Sequence, residues 1–138
     1  MMKHRTENAA HLAAMLSGRN GNGNVAERTR VLVLQIQRVA RIAHRNAERM
    51  CNGELAECPK CKGDGWDCKK CLETGYPTLA REARAVERLR EALKPYRLRV
   101  YEQGDPRGWP LYLIPEESGP QSEDGSNYNV RGVAVCPH

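Results

Sequence analysis

The sequence predicts an α+β protein in which a helical hairpin, tipped by a zinc knuckle of four cysteines, packs on a small antiparallel β-sheet. Two stretches carry apolar residues at helical spacing, four cysteines form two C-x-x-C pairs between these stretches, and the C-terminal part alternates apolar and polar residues. A length of 138 residues favours one compact domain. Only 40% of the residues are apolar and Phe is absent, so we expect a metal or disulfides to supplement a thin core.

Residues 1–24 are expected to form a short helix followed by a linker. The helix is predicted over residues 6–17 (TENAAHLAAMLS), and the alternating Gly and Asn of residues 19–24 favour a flexible connection. The charged N-terminus lacks the apolar region of a secretory signal, and no apolar run approaches the ~20 residues that cross a bilayer. We therefore expect a cytoplasmic protein of a bacterial host cell, without membrane contact and with reduced cysteines.

Residues 25–95 are expected to contain the helical hairpin, and its first helix is predicted from about residue 25 to residue 51. Asn24 and Glu27 fit a capping box at its start. A second apolar strip opposite the main face (Val31, Leu34 and Ile42) predicts that the N-terminal half is buried on two sides. The predicted main buried face consists of Val25, Leu32, Ile36, Val39, Ala43 and Met50.

The second helix of the hairpin is predicted over residues 79–94. Thr78 is a candidate cap at its start, and Lys94-Pro95 ends it because proline cannot continue a helix. Both long helices flank the cysteine segment, so we expect them to be antiparallel with the metal module at the tip. The predicted buried face consists of Leu79, Ala83, Val86, Leu89 and Leu93.

Residues 96–138 are expected to form the sheet. YRLRVYEQ and WPLYLI are extended runs, and Asp105-Pro106-Arg107-Gly108 between them has the residue choices of a type I turn, which predicts a β-hairpin. Residues 128–135 follow a polar loop and predict a third strand.

The segment CPKCKGDGWDCKKCLETG, residues 58–75, contains the clearest chemical signal. Cys58 and Cys61 form one C-x-x-C pair, and Cys68 and Cys71 form the next. Two such pairs supply the four sulfur atoms of a tetrahedral Zn²⁺ site, with Zn–S distances near ~2.3 Å. A redox or disulfide pair and an iron–sulfur cluster are alternatives to structural zinc. Four thiolates leave no open coordination position, so we expect the zinc to stabilise the fold rather than to catalyse a reaction.

This cysteine segment resembles the DnaJ-type Cys-rich zinc finger, whose repeat is C-x-x-C-x-G-x-G. CPKCKGDG matches one repeat fully, and residues 68–75 match a second in which Glu73 replaces the first glycine. Similar paired repeats occur in small regulators such as anti-TRAP. The resemblance implies zinc binding, but the chain lacks the His-Pro-Asp signature of a J domain, so no chaperone partnership is implied.

The C-terminal segments YEQGDPRGWPLYLI and GVAVCPH are similar to small proteins encoded in phage and prophage genomes. That similarity implies a host-directed or phage-regulatory role. It names no target.

Several side chains are candidates for contact with a partner. The formal net charge is +5, and four arginines form a basic ridge along one face of the first long helix, where they suit phosphate contacts or a solvated helix face. Trp66, between the two cysteine pairs, is either an interface anchor or packed over the zinc module. Arg107 lies at the predicted turn. The ridge consists of Arg38, Arg41, Arg45 and Arg49.

Outside the two pairs, Cys51 is expected to be buried or a spare ligand. Cys136 with His138 could bind a metal in principle, but two potential ligands at a fraying end are more often incidental. His44 has no obvious carboxylate or cysteine neighbour in the sequence, and no histidine is assigned a catalytic role.

The sequence therefore predicts a non-enzymatic, zinc-stabilised binding protein that regulates or inhibits a host or phage protein through direct contact. The alternative is a nucleic-acid-binding regulator that uses the basic ridge. Under either function, the chain could also associate with copies of itself as a homo-oligomer. An enzyme ranks third because no nucleophile, base and orienting group can be assembled.

Overall fold

The computed structural model describes residues 2–19, 26–103, 107–116 and 133–136. Within these ranges, three helices precede three strands, as the α+β prediction requires. Asn24, Val25, the linker, Asp105, Pro106, residues 128–132 and His138 lie outside the described residues, so the predictions made for them stay predictions. The elements are α1 (Met2–Arg19), α2 (Ala26–Cys51), α3 (Pro77–Leu93), a 3-10 turn (Lys94–Tyr96), β1 (Leu98–Glu102), β2 (Leu111–Pro115) and β3 (Val133–Val135).

Helices α2 and α3 form the predicted antiparallel hairpin. Asn46, near the end of α2, donates a hydrogen bond of 3.0 Å from Nδ2 to Oε1 of Glu82, near the start of α3. The cysteine segment therefore connects the two helices at one end of the hairpin. Met50 of the predicted buried face is exposed, whereas its central positions are buried as expected: Leu32, Ile36, Val39 and Ala43.

The N-terminal half of α2 is not buried on two sides, so that prediction was wrong, although Ile42 of the second strip is half-buried. Val31 is 57% exposed and Leu34 is 53% exposed. The buried residues beside the main face are instead Val33 and Ala40. Because successive residues turn about 100° around a helix axis, a shift of one position moves a side chain to a different face. Helix α2 packs against α1, α3 and β3, and these contacts leave Val31 and Leu34 exposed.

Helix α3 begins with proline rather than with the predicted threonine cap. Tyr76 occupies the cap position without a side-chain hydrogen bond, Pro77 is the first helical residue, and Thr78 lies within the first turn. Proline suits this position because its fixed φ matches the helix and its missing N–H has no helical partner there. The helix ends at Leu93, two residues before Pro95, as expected. Its buried residues are Ala80, Val86, Leu89 and Leu93.

The three strands form an antiparallel sheet in the order β1-β2-β3. Leu98 pairs with Pro115 and Glu102 with Leu111, which confirms the β-hairpin, and Leu111 also pairs with Val135 of the third strand. One hydrophobic core contains buried residues from all three helices and all three strands. The sheet therefore packs against the helices through this shared core.

Asn8 connects α1 to the edge of the sheet. Its Nδ2 donates to the carbonyl of Ala134 at 2.6 Å, and its Oδ1 accepts from the N–H of Cys136 at 2.9 Å. In Asn8→Ala, both backbone groups lose their partner, so we expect the free energy of unfolding in urea to fall by about 1–3 kcal/mol. His11→Ala, at an exposed position of the same helix, should change it by less than about 0.5 kcal/mol. Equal effects of the two variants would contradict a specific role for Asn8.

Candidate metal centre

The four paired cysteines meet in the connection between α2 and α3. Their sulfur atoms all lie within 4.8 Å of one another; Cys58, Cys68 and Cys71 are buried and Cys61 is half-buried. Sγ of Cys58 is 3.8 Å from Sγ of Cys68, and Sγ of Cys61 is 3.6 Å from Sγ of Cys71. Four ligands at ~2.3 Å from a tetrahedral ion are about 3.8 Å apart, whereas a disulfide brings sulfurs to about 2.05 Å. The spacing therefore fits one tetrahedral metal ion, and all four thiols are free.

The two cysteine pairs are folded in the same way. The N–H of Gly65 donates to Sγ of Cys61 at 3.3 Å, and the N–H of Gly75 donates to Sγ of Cys71 at the same distance. Each bond spans four residues, so the sequence repeat produces a structural repeat. Donation to sulfur favours the thiolate, which is the form that binds a metal ion.

The second repeat departs from the C-x-x-C-x-G-x-G pattern at Glu73, but its backbone follows the same path as the first repeat. Glu73 has a φ of +62°, in the left-handed region that Gly63 occupies in the first repeat with a φ of +84°. A side chain in this region costs about 1–2 kcal/mol, which Glu73 incurs and Gly63 does not. The two repeats, each of which forms one knuckle around its cysteine pair, are also joined directly. The N–H of Cys58 donates to the carbonyl of Gly75 at 2.8 Å.

The thiols differ in acidity because backbone donors and burial act in opposite directions. The backbone N–H of Cys61 lowers the pKa of the Cys58 thiol to about 7, and that of Cys71 lowers the pKa of Cys68. Burial instead raises the pKa of Cys71 to about 11. Four adjacent thiolates repel one another, so full deprotonation is favoured only when a cation compensates their charge.

The cysteine module has no apolar core of its own among the described residues. Its buried cluster consists of Cys58, Cys68 and Cys71, with Cys61 packed against it. The apolar side chains of Trp66 and Leu72 are exposed instead of covering the sulfurs. A segment without an apolar core needs another source of stability, and four convergent sulfurs provide a metal site as that source.

Trp66 is 84% exposed, which excludes the alternative that it packs over the zinc module. It lines a shallow depression together with three acidic side chains, Asp64, Asp67 and Glu73. The tip of the hairpin therefore presents an indole ring beside three acidic side chains.

The predicted basic ridge lies on α2, but the structure groups its residues differently. Arg38, Arg45 and Arg49 are exposed and Arg41 is half-buried. Of these four, Arg38 lines a groove between α2 and α3 that also contains three arginines of α3. Arg107 is exposed in the connection between β1 and β2. The contact roles proposed for these residues stay predictions.

The sequence analysis missed the arginines of α3, whose signal was their i, i+3, i+7 spacing: Arg81, Arg84 and Arg88.

The remaining candidates lie outside the sulfur cluster. Cys51 is exposed at the end of α2, so its expected burial was wrong. Cys136 is buried, and its N–H binds Asn8. His44 does have a carboxylate neighbour, because Nε2 lies 2.6 Å from Oε1 of Glu48, one helical turn later. This i, i+4 spacing was present in the sequence and was overlooked.

Glu82 is a partly buried acidic group that the sequence analysis did not single out. It lines a cavity of about 190 Å³ where α2, α3 and β1 meet. Burial raises the pKa of its carboxyl from 4.5 to about 7; the bond from Asn46 acts against this shift, and nearby Glu102 adds to it. Glu102 also lies 3.6 Å from the guanidinium of Arg90.

This raised pKa makes stability depend on pH. Between pH 4.5 and about 7 the folded protein holds a proton on Glu82 that the unfolded chain releases, so the free energy of unfolding should fall as pH rises through that window. Glu82→Gln should reduce this fall by about 1 kcal/mol, after allowance for solvent screening of a half-exposed side chain. Denaturation in urea at several pH values measures the effect. Exposed Glu87→Gln is the control, and an unchanged slope in Glu82→Gln would refute the assignment.

No helix within the described ranges has the length and apolar character required to span a membrane. No family model matches the sequence, and no curated protein or solved structure is significantly similar to it. The resemblance to the DnaJ-type finger is therefore supported at one level: the chain contains a Cys-rich, zinc-finger-like site that could hold a metal ion.

Proposed function

We propose that this protein is a non-enzymatic binding protein whose fold is stabilised by zinc. The observation that carries the proposal is the cluster of four sulfur atoms, with separations of 3.6 and 3.8 Å across the two knuckles. A tetrahedral site composed of four sulfurs is typical of structural zinc. Because sulfur fills each position, the bound ion has no open position for water or substrate, and its role is to fix the connection between α2 and α3.

The proposed partner is a host or phage protein, which this chain regulates or inhibits in the manner of small phage-encoded regulators. Trp66 supports protein contact because an exposed tryptophan is a common binding hot spot. The acidic side chains of Asp64, Asp67 and Glu73 favour a partner with an apolar pocket and a basic rim.

The partner proposal is tested by quantitative capture from host lysate with three proteins: the intact chain, Trp66→Ala and Trp109→Ala. Trp109 is 41% exposed and lies outside the cysteine module, so it controls for loss of an exposed tryptophan. A captured protein is then purified, and its affinity for each variant is measured. We expect Trp66→Ala to weaken binding about 30-fold, a loss of ~2 kcal/mol, with little change in Trp109→Ala. Absence of a specific partner, or equal affinity for both variants, would refute the role of Trp66.

A further inference from the structure

A groove between α2 and α3 brings together four arginines that are distant in sequence. Arg38 of α2 forms one wall, and Arg81, Arg84 and Arg88 of α3 form the other. Ile42 and Ala85 contribute apolar surface, and the groove has a volume of about 690 Å³. All four arginine side chains are exposed.

The positive charge of this groove is uncompensated within the described part of the chain. No acidic residue lines it, and none of its four arginines forms an ion pair with a described residue. The three acidic residues of α3 are engaged elsewhere: Glu82 accepts from Asn46, Glu87 pairs with Arg90, and Glu91 pairs with Lys94. Four guanidinium groups that lack an acidic partner among the described residues favour a polyanion.

The spacing of the arginines selects among polyanions. Arg81 and Arg88 are seven residues apart, which corresponds to about 10 Å along a helix. Phosphates repeat at a regular interval along a nucleic acid strand, so guanidinium groups distributed over this length can contact more than one phosphate of the same strand. Guanidinium groups bind phosphate oxygens in bidentate geometry. An acidic protein surface lacks such a regular repeat of charge.

The shape of the groove favours one strand over a duplex. The axes of packed helices lie about 8–10 Å apart, so we expect the narrow groove between them to receive one strand rather than both strands of a duplex. The apolar surface of Ile42 and Ala85 can contact sugars or base edges. We propose that the α2–α3 groove binds the phosphate backbone of single-stranded nucleic acid without sequence preference.

This site rests on the proposed zinc-stabilised hairpin, because that fold holds the two walls together, but it does not require the Trp66 surface. The two proposals have separate readouts. Zinc stoichiometry and the unfolding midpoint report on the hairpin, whereas oligonucleotide affinity reports on the groove.

The test uses fluorescence anisotropy with a labelled oligonucleotide of thymidines and with a duplex of equal length. For four phosphate contacts with a single strand, a plot of the logarithm of affinity against the logarithm of salt concentration has a slope of about −2.8. Raising the salt concentration from about 50 to 200 mM should therefore weaken binding about 50-fold. In Arg84→Gln/Arg88→Gln two contacts are lost, and the same increase in salt should weaken binding about 7-fold. Arg38→Gln, on the opposite wall, removes one contact and should make the salt slope less steep by about 0.7.

Lys69→Gln/Lys70→Gln is the matched control, because it removes the same net charge from exposed positions in the cysteine module. Its salt dependence should equal that of the intact chain, and each variant is compared at one bound zinc. The groove proposal is overturned if the zinc-loaded protein fails to bind the oligonucleotide at low salt or binds the duplex more tightly than the single strand. It is also overturned if the arginine double variant and the lysine double variant reduce the salt dependence of binding equally. Failure to bind oligonucleotide with zinc retained leaves the zinc-stabilised fold intact.

Discussion

Cys71→Ser is expected to abolish stoichiometric zinc binding and to unfold the connection between α2 and α3. Cys71 is fully buried in the sulfur cluster, and serine offers a poor ligand for zinc in its place. Because structural zinc contributes ~10 kcal/mol or more to folding, we expect a loss on the order of 5 kcal/mol, with the main apolar core still packed. Native mass spectrometry measures bound zinc, and hydrogen exchange should show lost protection in residues 54–76 while the amide of Leu89 stays protected.

Cys51→Ser is the matched control for this substitution. Cys51 is an exposed free cysteine at the end of α2, outside the sulfur cluster. The variant should bind one zinc and unfold at the same urea concentration as the intact protein. If Cys71→Ser also kept one zinc and an unchanged midpoint, the proposed role of the metal would be wrong.

The metal site was predictable because its information is local. Two C-x-x-C pairs separated by six residues determine which atoms meet, whatever the rest of the chain does. The structure brings together Cys58, Cys61, Cys68 and Cys71, as the spacing requires. The exposure of Trp66 was not predictable in this way, because it depends on whether any other segment covers the module.

The helices show where local information ends. Their positions follow from apolar spacing, but the burial of a second face depends on which elements pack against it. Val31 and Leu34 fit an apolar strip and are nevertheless exposed, because the elements that pack against α2 leave these two side chains uncovered. A tertiary contact of this kind has no signature within the helix itself.

The arginine groove and the Glu82 cavity likewise depend on tertiary structure. The sequence analysis grouped Arg38 with arginines of its own helix, whereas the structure places it opposite Arg81, Arg84 and Arg88. Glu82 is an ordinary helix residue until β1 and α2 cover it. Both features require the register between elements, which one helical pattern cannot provide.

Gly75→Ala is expected to destabilise the protein by about 2–5 kcal/mol and to weaken zinc binding. Gly75 has a φ of +82°, and a Cβ atom there would lie 2.6 Å from the carbonyl oxygen of Gly63. Left-handed strain costs about 1–2 kcal/mol, and the clash with rigid backbone adds about 1–3 kcal/mol. The N–H of Gly75 also donates to Sγ of Cys71, so its displacement should reduce zinc affinity about 10- to 100-fold. Urea denaturation and competition with a zinc chelator measure the two effects.

Gly53→Ala separates these contributions. Gly53 has a similar φ of +68°, but no atom lies within 4 Å of the position that its Cβ would take. The variant should therefore incur the backbone strain alone, about 1–2 kcal/mol, with unchanged zinc affinity. The difference between the two variants then measures the close approach of the knuckles. Equal losses of stability and zinc affinity would show that the contact between Gly63 and Gly75 contributes nothing, and that each knuckle holds its sulfurs independently.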